Sequence, residues 1–544
     1  MPTLQFKGKT FVQNYHHMVK YRELIPRKEK SLTERLSLHD NLIIHGDNLV
    51  ALKALLPTYA GKVKCIYIDP PYNTGNEKWV YNDNVSNPMM KEWLGKIVDR
   101  EDLTRHDKWL CMMMPRLKLL RELLSEDGVI FISIDDHEVH NLLEIMDEIF
   151  LNNFISIFVW KGKSGAEDDK YFRIKHEFIL CYAKNKNKFV AGMDVKENEK
   201  FPFFDPIKQL NYKRQLARKW GSNSRREDRP RLFYPITFPN GEEIFPKLDD
   251  GSDGCWRWKK EKMELEISKG NIEFVKENDK WIVYQKIFNN KELDINPSKK
   301  YNTWLDNYGS SSTGTKELKE IFSSSKTPFL HPKPSTLVKK ILKMANLNKD
   351  SIILDSFAGS GTTAHAVLAL NQEDGGKRRF ILVECEDYAD EITAERVRRI
   401  IKGVPSAKDE NLRNGLGGSF SYFELGKPIE LESILEGDSL PSYRELARYI
   451  FYTATGEEFN PSVVDENRFF IGENKEYELY LFYKPDIEYL KSTALTLERA
   501  QALGPINDKK RLVFAPTKYL DTEHLQSYRI EFCQLPFEIF KIKG

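Results

Sequence analysis

Val63-Lys64-Cys65-Ile66-Tyr67-Ile68 runs directly into Asp69-Pro70-Pro71-Tyr72. The first six residues are mostly β-branched, aromatic or apolar and predict a buried strand. Two successive prolines end it, because each lacks an N–H donor and fixes its own φ. A carboxylate and a carbonyl are thereby pinned beyond the strand's C-terminal end, the edge at which open α/β sheets bind ligands. Such a turn can hold an exocyclic amine between Asp69 Oδ and the Pro70 carbonyl, with the Tyr72 ring stacked on the base that bears it. The plainer reading is a strand-ending turn with a structural aspartate.

Further short apolar runs lie at 42–44, 129–134 and 178–182, with helix-like segments between them. This is an α/β pattern. It resumes at 336–403, where a helix-like 337–344 leads to a strand at 351–355. Asp355-Ser356-Phe357-Ala358-Gly359-Ser360-Gly361-Thr362-Thr363 then turns into a helix at 362–370 and a second strand at 379–383. Gly359 and Gly361 allow backbone to approach a ligand, and the helix start presents free N–H groups. Ala364 stands where a dinucleotide loop has its third glycine, which that fingerprint tolerates. Phe357 and the small Ser/Thr run suit an adenosine-and-amino-acid ligand better than a pyrophosphate, and no Walker lysine follows. Glu384 ends the next strand, where an acid on ribose hydroxyls is expected. The plainer reading is a glycine-lined corner.

The chain has 544 residues, of which 40% are hydrophobic, 12% aromatic and 30% charged. That is globular composition, and the length implies roughly two to four domains. No apolar run is long enough to predict a membrane-spanning helix. The N-terminal stretch lacks the apolar core of a secretory signal. The six cysteines form no C-x-x-C pair, so neither a disulfide framework nor a metal site is expected, and a reducing cytoplasm is the expected location. Lys and Arg number 83 against 81 Asp and Glu, so any nucleic-acid charge must be local.

Five segments are expected: an N-terminal extension at 1–39, α/β at 40–190, an insert at 191–325, α/β again at 326–403 and an appendage at 404–544. Between 184 and 300 there are 26 Lys and Arg against 19 Asp and Glu. The surplus concentrates at 208–231 and includes Lys213, Arg214, Arg218, Lys219, Arg225, Arg226 and Arg229. A solvated face explains such a cluster as readily as DNA does. Residues 405–544 carry 17 basic and 23 acidic residues, a balance that favours protein contact over phosphate.

Taken together, the Asp69-Pro70-Pro71-Tyr72 turn and the Phe357-to-Gly361 loop resemble those of DNA adenine-N6 methyltransferases. Their order resembles the permuted β-group: catalytic half, target-recognition insert, AdoMet half. Within that group the chain resembles the modification subunit of type III restriction–modification systems. Further stretches carry the likeness: Ile43-Ile44-His45-Gly46-Asp47-Asn48, Asn73-Thr74-Gly75, His176-Glu177-Phe178-Ile179, Phe233-Tyr234-Pro235-Ile236, Pro239-Asn240-Gly241, Trp256-Arg257-Trp258, Gly314-Thr315-Lys316-Glu317-Leu318 and Phe329-Leu330-His331-Pro332-Lys333-Pro334-Ser335.

The resemblance implies a permuted Rossmann-like fold that binds S-adenosylmethionine. It implies methyl transfer to adenine N6 in double-stranded DNA, in a homodimer joined by an ATP-dependent helicase–nuclease restriction subunit. The chain itself contains no Gly-x-x-x-x-Gly-Lys-Ser/Thr. In the family, Asp at the first motif position leans toward adenine, and cytosine-N4 transfer shares the geometry. Cytosine-C5 chemistry is disfavoured because no Pro-Cys pair occurs. A solitary or type II-like enzyme and an RNA or protein amino-methyltransferase are the alternatives. By resemblance, Asp47 meets the cofactor or target adenine, or else caps a helix. Lys333 and Ser335 meet the methionine moiety, or else open a helix with Ser335 as cap. His176 lines the pocket or sits in the core. Trp256 and Trp258 are read as core of the insert, and 191–325 as the region that reads the DNA site.

Overall fold

The computed structural model describes residues 3–74, 105–162, 172–194, 201–238, 241–277, 280–288, 299–428 and 440–535. Gly75, Pro239 and Asn240, quoted above, lie outside these residues.

The described chain forms two compact units, one of residues 1–192 with 302–544 and one of residues 193–301. The larger unit is built on a ten-stranded mixed sheet. In chain order its strands are β1 (Arg22–Pro26), β2 (Leu42–His45), β3 (Val63–Ile68), β4 (Leu124–Ile134), β5 (Phe154–Trp160), β6 (Glu177–Ala183), β7 (Trp304–Leu305), β8 (Ile352–Asp355), β9 (Arg379–Glu384) and β10 (Ser421–Pro428). Their spatial order is β1-β10-β2-β9-β8-β3-β4-β6-β5-β7. The six from β10 to β4 are mutually parallel. The antiparallel pairings lie outside that block, β1 on β10 and β6 between β4 and β5.

The parallel strands are buried almost throughout, as the apolar runs predict for a sheet covered on both faces. Val63, Cys65, Ile66 and Ile68 of β3 and Ile353 and Leu354 of β8 are all fully buried. The covering helices include α1 (Asn48–Tyr59), α2 (Arg105–Leu123), α3 (Ser311–Phe322), α4 (Ser335–Met344), α5 (Thr362–Asp374), α6 (Glu395–Lys402) and α7 (Tyr443–Thr455).

The structure redraws the expected boundaries. The insert closes at Tyr301 rather than 325. Residues 304–305 already pair with β5, Trp304 opposite Val159 and Leu305 opposite Trp160. Helix α3 lies against the segment before α4 so closely that a Cβ on Gly314 would stand 2.1 Å from the Pro332 carbonyl. Nor is 404–544 a mere appendage: β10 enters the main sheet beside β2. The N-terminal extension supplies β1, and Tyr21 stacks on Tyr449 of α7 with ring centroids 4.7 Å apart. The two α/β stretches interleave, because β3 packs between β8 and β4 while β2 lies beyond β9. Hydrophobic strands pair wherever their edges match, whatever their separation in the chain.

The smaller unit contains a four-stranded antiparallel sheet in the order Ile272–Glu277, Lys280–Phe288, Leu210–Leu216, Phe203–Asp205. Its core gathers Ala217, Tyr234, Ile236, Trp256, Met263, Ile272 and Val283, with Trp258 partly buried against it.

Candidate active site

Four adjacent parallel strands deliver one carboxylate each to the same edge of the sheet. Asp47 follows β2, Glu384 ends β9, Asp355 ends β8 and Asp69 follows β3. The two sequence motifs meet because β3 and β8 are neighbours, with Ile353 opposite Cys65 and Leu354 opposite Ile66.

The proline turn is anchored from below. The indole of the buried Trp109 on α2 donates to the Pro71 carbonyl at 2.7 Å. Asn73, held at a φ of 57°, donates to the Arg105 carbonyl at 3.2 Å and to the buried Glu138. His106 Nδ1 lies 2.7 Å from the same Glu138 carboxylate. These contacts fix the backbone on either side of Tyr72.

Above the turn sits a compact charge cluster. Lys333 Nζ lies 2.9 and 2.7 Å from the two Asp69 oxygens and 3.3 Å from Glu177 Oε2. The Tyr72 hydroxyl lies 2.8 Å from Asp69 Oδ1 and 2.9 Å from Glu177 Oε2. The Lys333 ammonium stands 5.0 Å from the Tyr72 ring centroid. Burial raises the Asp69 carboxyl above its ordinary range and Glu177 adds to the rise, against the opposing pull of Lys333. Burial alone would lower the Lys333 ammonium, but Asp69 and Glu177 together raise it, so it stays charged. The Asp69 side chain remains 26% exposed, which leaves it reachable by a ligand.

The glycine loop is fastened differently. Asp355 Oδ1 accepts from the Phe357 N–H at 3.0 Å, and its Oδ2 accepts from the Thr363 hydroxyl. Glu384 accepts three backbone N–H bonds, from Gly359 at 2.7 Å, Cys385 at 2.9 Å and Glu386 at 3.1 Å. Burial pushes each carboxyl up to about 7, against the pull of these hydrogen bonds. Gly361 takes a φ of 80° as the N-cap of α5, a conformation costly to residues bearing a Cβ. Thr362 and Ser360 are held by the fully buried Arg396, whose Nη1 donates to their hydroxyls at 2.7 and 2.9 Å. Arg396 Nη2 lies 3.2 Å from both Glu317 Oε2 and His365 Nδ1. Burial lowers His365 to about 4, so its ring is neutral and Nδ1 accepts from the guanidinium.

The loop fits a ligand of the expected kind. The Ser356 hydroxyl is 1% exposed and has no hydrogen-bond partner among the described residues. Polar groups so placed are normally satisfied, and one at the strand-to-loop junction is an unused donor and acceptor beside the glycines.

Three expected cofactor contacts take other roles. Asp47 is the N-cap of α1: its Oδ1 accepts from Leu49 and Val50 N–H at 2.9 and 3.2 Å, and Arg116 holds its Oδ2 at 3.2 Å. Lys333 turns to the Asp69 cluster. Ser335 gives both its N–H and its hydroxyl to Glu317, and it is the first helical residue of α4, with Pro334 as the cap. Phe357 is buried in the core beside the loop. His176 is half-buried, edge-on to Phe178 with centroids 4.9 Å apart. Glu177 and Glu317 stand in stretches that carry the family likeness but are given no role there, and Arg396 escapes the sequence reading.

Within the insert, most of the expected phosphate contacts already face acids. Arg214 makes a two-bond fork with Glu273 at 2.9 and 2.6 Å and stacks over Phe203 at 3.9 Å. Arg218 pairs with Asp249 at 2.5 Å, Arg226 with Asp253 at 3.1 Å and Arg225 with Asp250 at 3.9 Å. Lys213 stands 6.0 Å from the Phe201 ring. Among the described residues, no carboxylate forms an ion pair with Lys219 or with the exposed Arg229.

The chain is similar to several known proteins. A family model described as DNA methylase matches residues 63–395. The EcoPI Mod subunit of a type III restriction-modification enzyme, from Escherichia phage P1, is 32% identical over 479 residues, covering 80% of this chain and 73% of that one. The type II methyltransferase M.KpnI of Klebsiella pneumoniae is 33% identical over 360 residues, covering 62% of this chain and 79% of that one. The solved complex of M1.HpyAVI with SAM is 14% identical with a TM-score of 0.31, covering 65% of this chain and 98% of that one.

Proposed function

The chain belongs to the DNA methylase family and is homologous to type III Mod subunits, and from that premise we propose that it methylates the N6 amine of adenine at specific sites in double-stranded DNA, with S-adenosylmethionine as methyl donor. The observation that carries this reading is the adjacency of β3 and β8, which sets the amine-binding turn at Asp69 beside the glycine loop at Gly359. The aspartate heading the turn supports adenine over cytosine N4.

Direct transfer needs no covalent enzyme intermediate, so the residues' work is positioning and electrostatics. Asp69 and the Pro70 carbonyl would accept the two N–H bonds of the amine and aim its lone pair. Tyr72 would face the extruded base. Ser356, Gly359, Gly361 and Glu384 would hold the donor, which supplies an electrophilic methyl group when bound. In this reading the insert selects the DNA site, and the protein works as a dimer with an ATP-dependent restriction subunit. The likeness to a type II methyltransferase favours one alternative, the same chemistry without that subunit.

Methylation mapping tests both readings. Purified protein and S-adenosylmethionine are given unmodified genomic DNA, which is then sequenced by a method that detects N6-methyladenine. A short asymmetric motif modified on one strand supports the type III reading. A palindrome modified on both strands supports the type II-like one. No modified adenine, with donor bound, overturns the DNA-adenine assignment.

A further inference from the structure

Methyl transfer to a neutral exocyclic amine releases one proton, and the cluster at Asp69 contains a second carboxylate that orienting the amine does not require. Glu177, the first residue of β6, is 6% exposed. Its Oε2 lies 2.9 Å from the Tyr72 hydroxyl, which in turn lies 2.8 Å from Asp69 Oδ1. The Tyr72 oxygen accepts from Lys333 Nζ at 2.9 Å, and a phenolic oxygen donates one hydrogen and has a second lone pair with which to accept another. Tyr72 therefore stands where it can take a proton from Asp69 while passing its own to Glu177. Lys333 Nζ reaches both acids, at 2.7 Å from Asp69 Oδ2 and 3.3 Å from Glu177 Oε2. The same cation thus stabilises whichever of the two is ionised. Among the described residues, the other titratable groups near this line are Tyr67 on β3, 3.0 Å from Ser133 Oγ, and Asp355 at the end of β8. Burial, with Asp69 and Glu177 beside it, holds the Tyr72 phenol far from ionisation, so it relays a proton without itself becoming charged.

Resting on the reading of the chain as a DNA amino-methyltransferase, we propose that Glu177 is the terminal acceptor of the proton released at the target amine, reached from Asp69 through the Tyr72 hydroxyl. The amine lone pair forms the new N–C bond as the methyl–sulfur bond of S-adenosylmethionine breaks, its electron pair staying on sulfur. One N–H bond of the resulting alkylammonium then breaks, its pair returning to nitrogen, and the proton joins Asp69 Oδ1. That proton passes to Tyr72 Oη as the Tyr72 proton passes to Glu177 Oε2. The cluster starts with two carboxylates and ends with one. Glu177 is thus a positioning and proton-accepting residue that acts through Tyr72.

The test is single-turnover transfer of labelled methyl to unmodified genomic DNA by the full chain, from pH 6 to 9, with Tyr72→Phe, Glu177→Gln and the double variant. Tyr72→Phe keeps the aromatic face and removes only the hydroxyl. The rate at neutral pH should fall by on the order of 100-fold in each single variant. The loss should shrink as pH rises and solvent takes the proton, while donor binding by calorimetry stays within about twofold. The double variant should be no slower than the singles, because both interrupt one path. Wild-type rates in either single variant overturn the relay, as do losses of equal size at every pH. A Glu177→Gln chain that fails to fold leaves Tyr72→Phe to decide. Wild-type protein that transfers no methyl to DNA overturns the function and the relay together; active wild type with unimpaired variants overturns the relay alone.

Discussion

The turn after β3 and the loop after β8 sit side by side at one sheet edge, yet they treat their carboxylates in opposite ways. Asp355 and Glu384 are sealed, 3% and 4% exposed, and are bonded to backbone N–H groups and a hydroxyl of their own loop. Asp69 is a quarter open, and its partners are side chains, Lys333 from a distant segment and Tyr72 from its own turn. Bonds from a neighbouring backbone hold a fixed shape. Side-chain partners can be exchanged when a substrate amine arrives. One region is built to keep its geometry and the other to change partners.

The largest effect should come from the exchangeable side. Asp69→Ala should cut methyl transfer by on the order of 1000-fold or more while donor binding by calorimetry is retained, because the glycine loop is fastened without Asp69. Unchanged turnover would break the comparison. Next comes the fixed side. Arg396→Met leaves Glu317 without its buried partner and frees Ser360 and Thr362, and should cost roughly 3 kcal/mol in urea unfolding. Donor affinity should weaken while the rate at saturating donor persists. A loss of rate with affinity intact would assign Arg396 to the other region.

A smaller effect follows from proton binding. In the folded chain Asp355 and Glu384 titrate near 7, against ordinary values of 3.8 and 4.5. Between those limits the folded state holds more protons than the unfolded, so this contribution to stability falls as pH rises through that window. The wild-type unfolding midpoint should therefore drop more between pH 5 and 7.5 than that of Glu384→Gln. Equal slopes would show that the loop carboxyl does not titrate there. The smallest effect lies in the insert, where acids already occupy most of the arginines. Arg229→Ala should lower the salt dependence of DNA binding by about one phosphate contact, and Arg226→Ala, paired with Asp253, by less. The reverse order would show that those ion pairs open on DNA.

Much of this was legible because it is local. The strand at 63–68 and its proline stop follow from neighbours in the chain, and so do the glycine corner and the acid at 384. The reading went astray wherever a partner came from afar. The segment 304–322 lies beside the insert in sequence, but its strand edge and helix face complete the main sheet. Asp47 could be read either as a ligand contact or as a helix cap, and the N-terminus of α1 and Arg116, the latter 69 positions away, claim its two oxygens. The arginines of 208–231 look free in sequence, because Asp249, Asp250, Asp253 and Glu273 reach them only when the insert folds.

The sequence by itself determined that two turns of defined chemistry would end two buried strands, since strand propensity, proline and glycine act over a few residues. Only the tertiary structure decided that those strands are neighbours, that Lys333 crosses 264 positions to Asp69, and that Glu177 meets Tyr72 across 105. The physical reason is that a buried charge takes the partner that packing brings within about 3 Å, and sequence distance has no part in that choice.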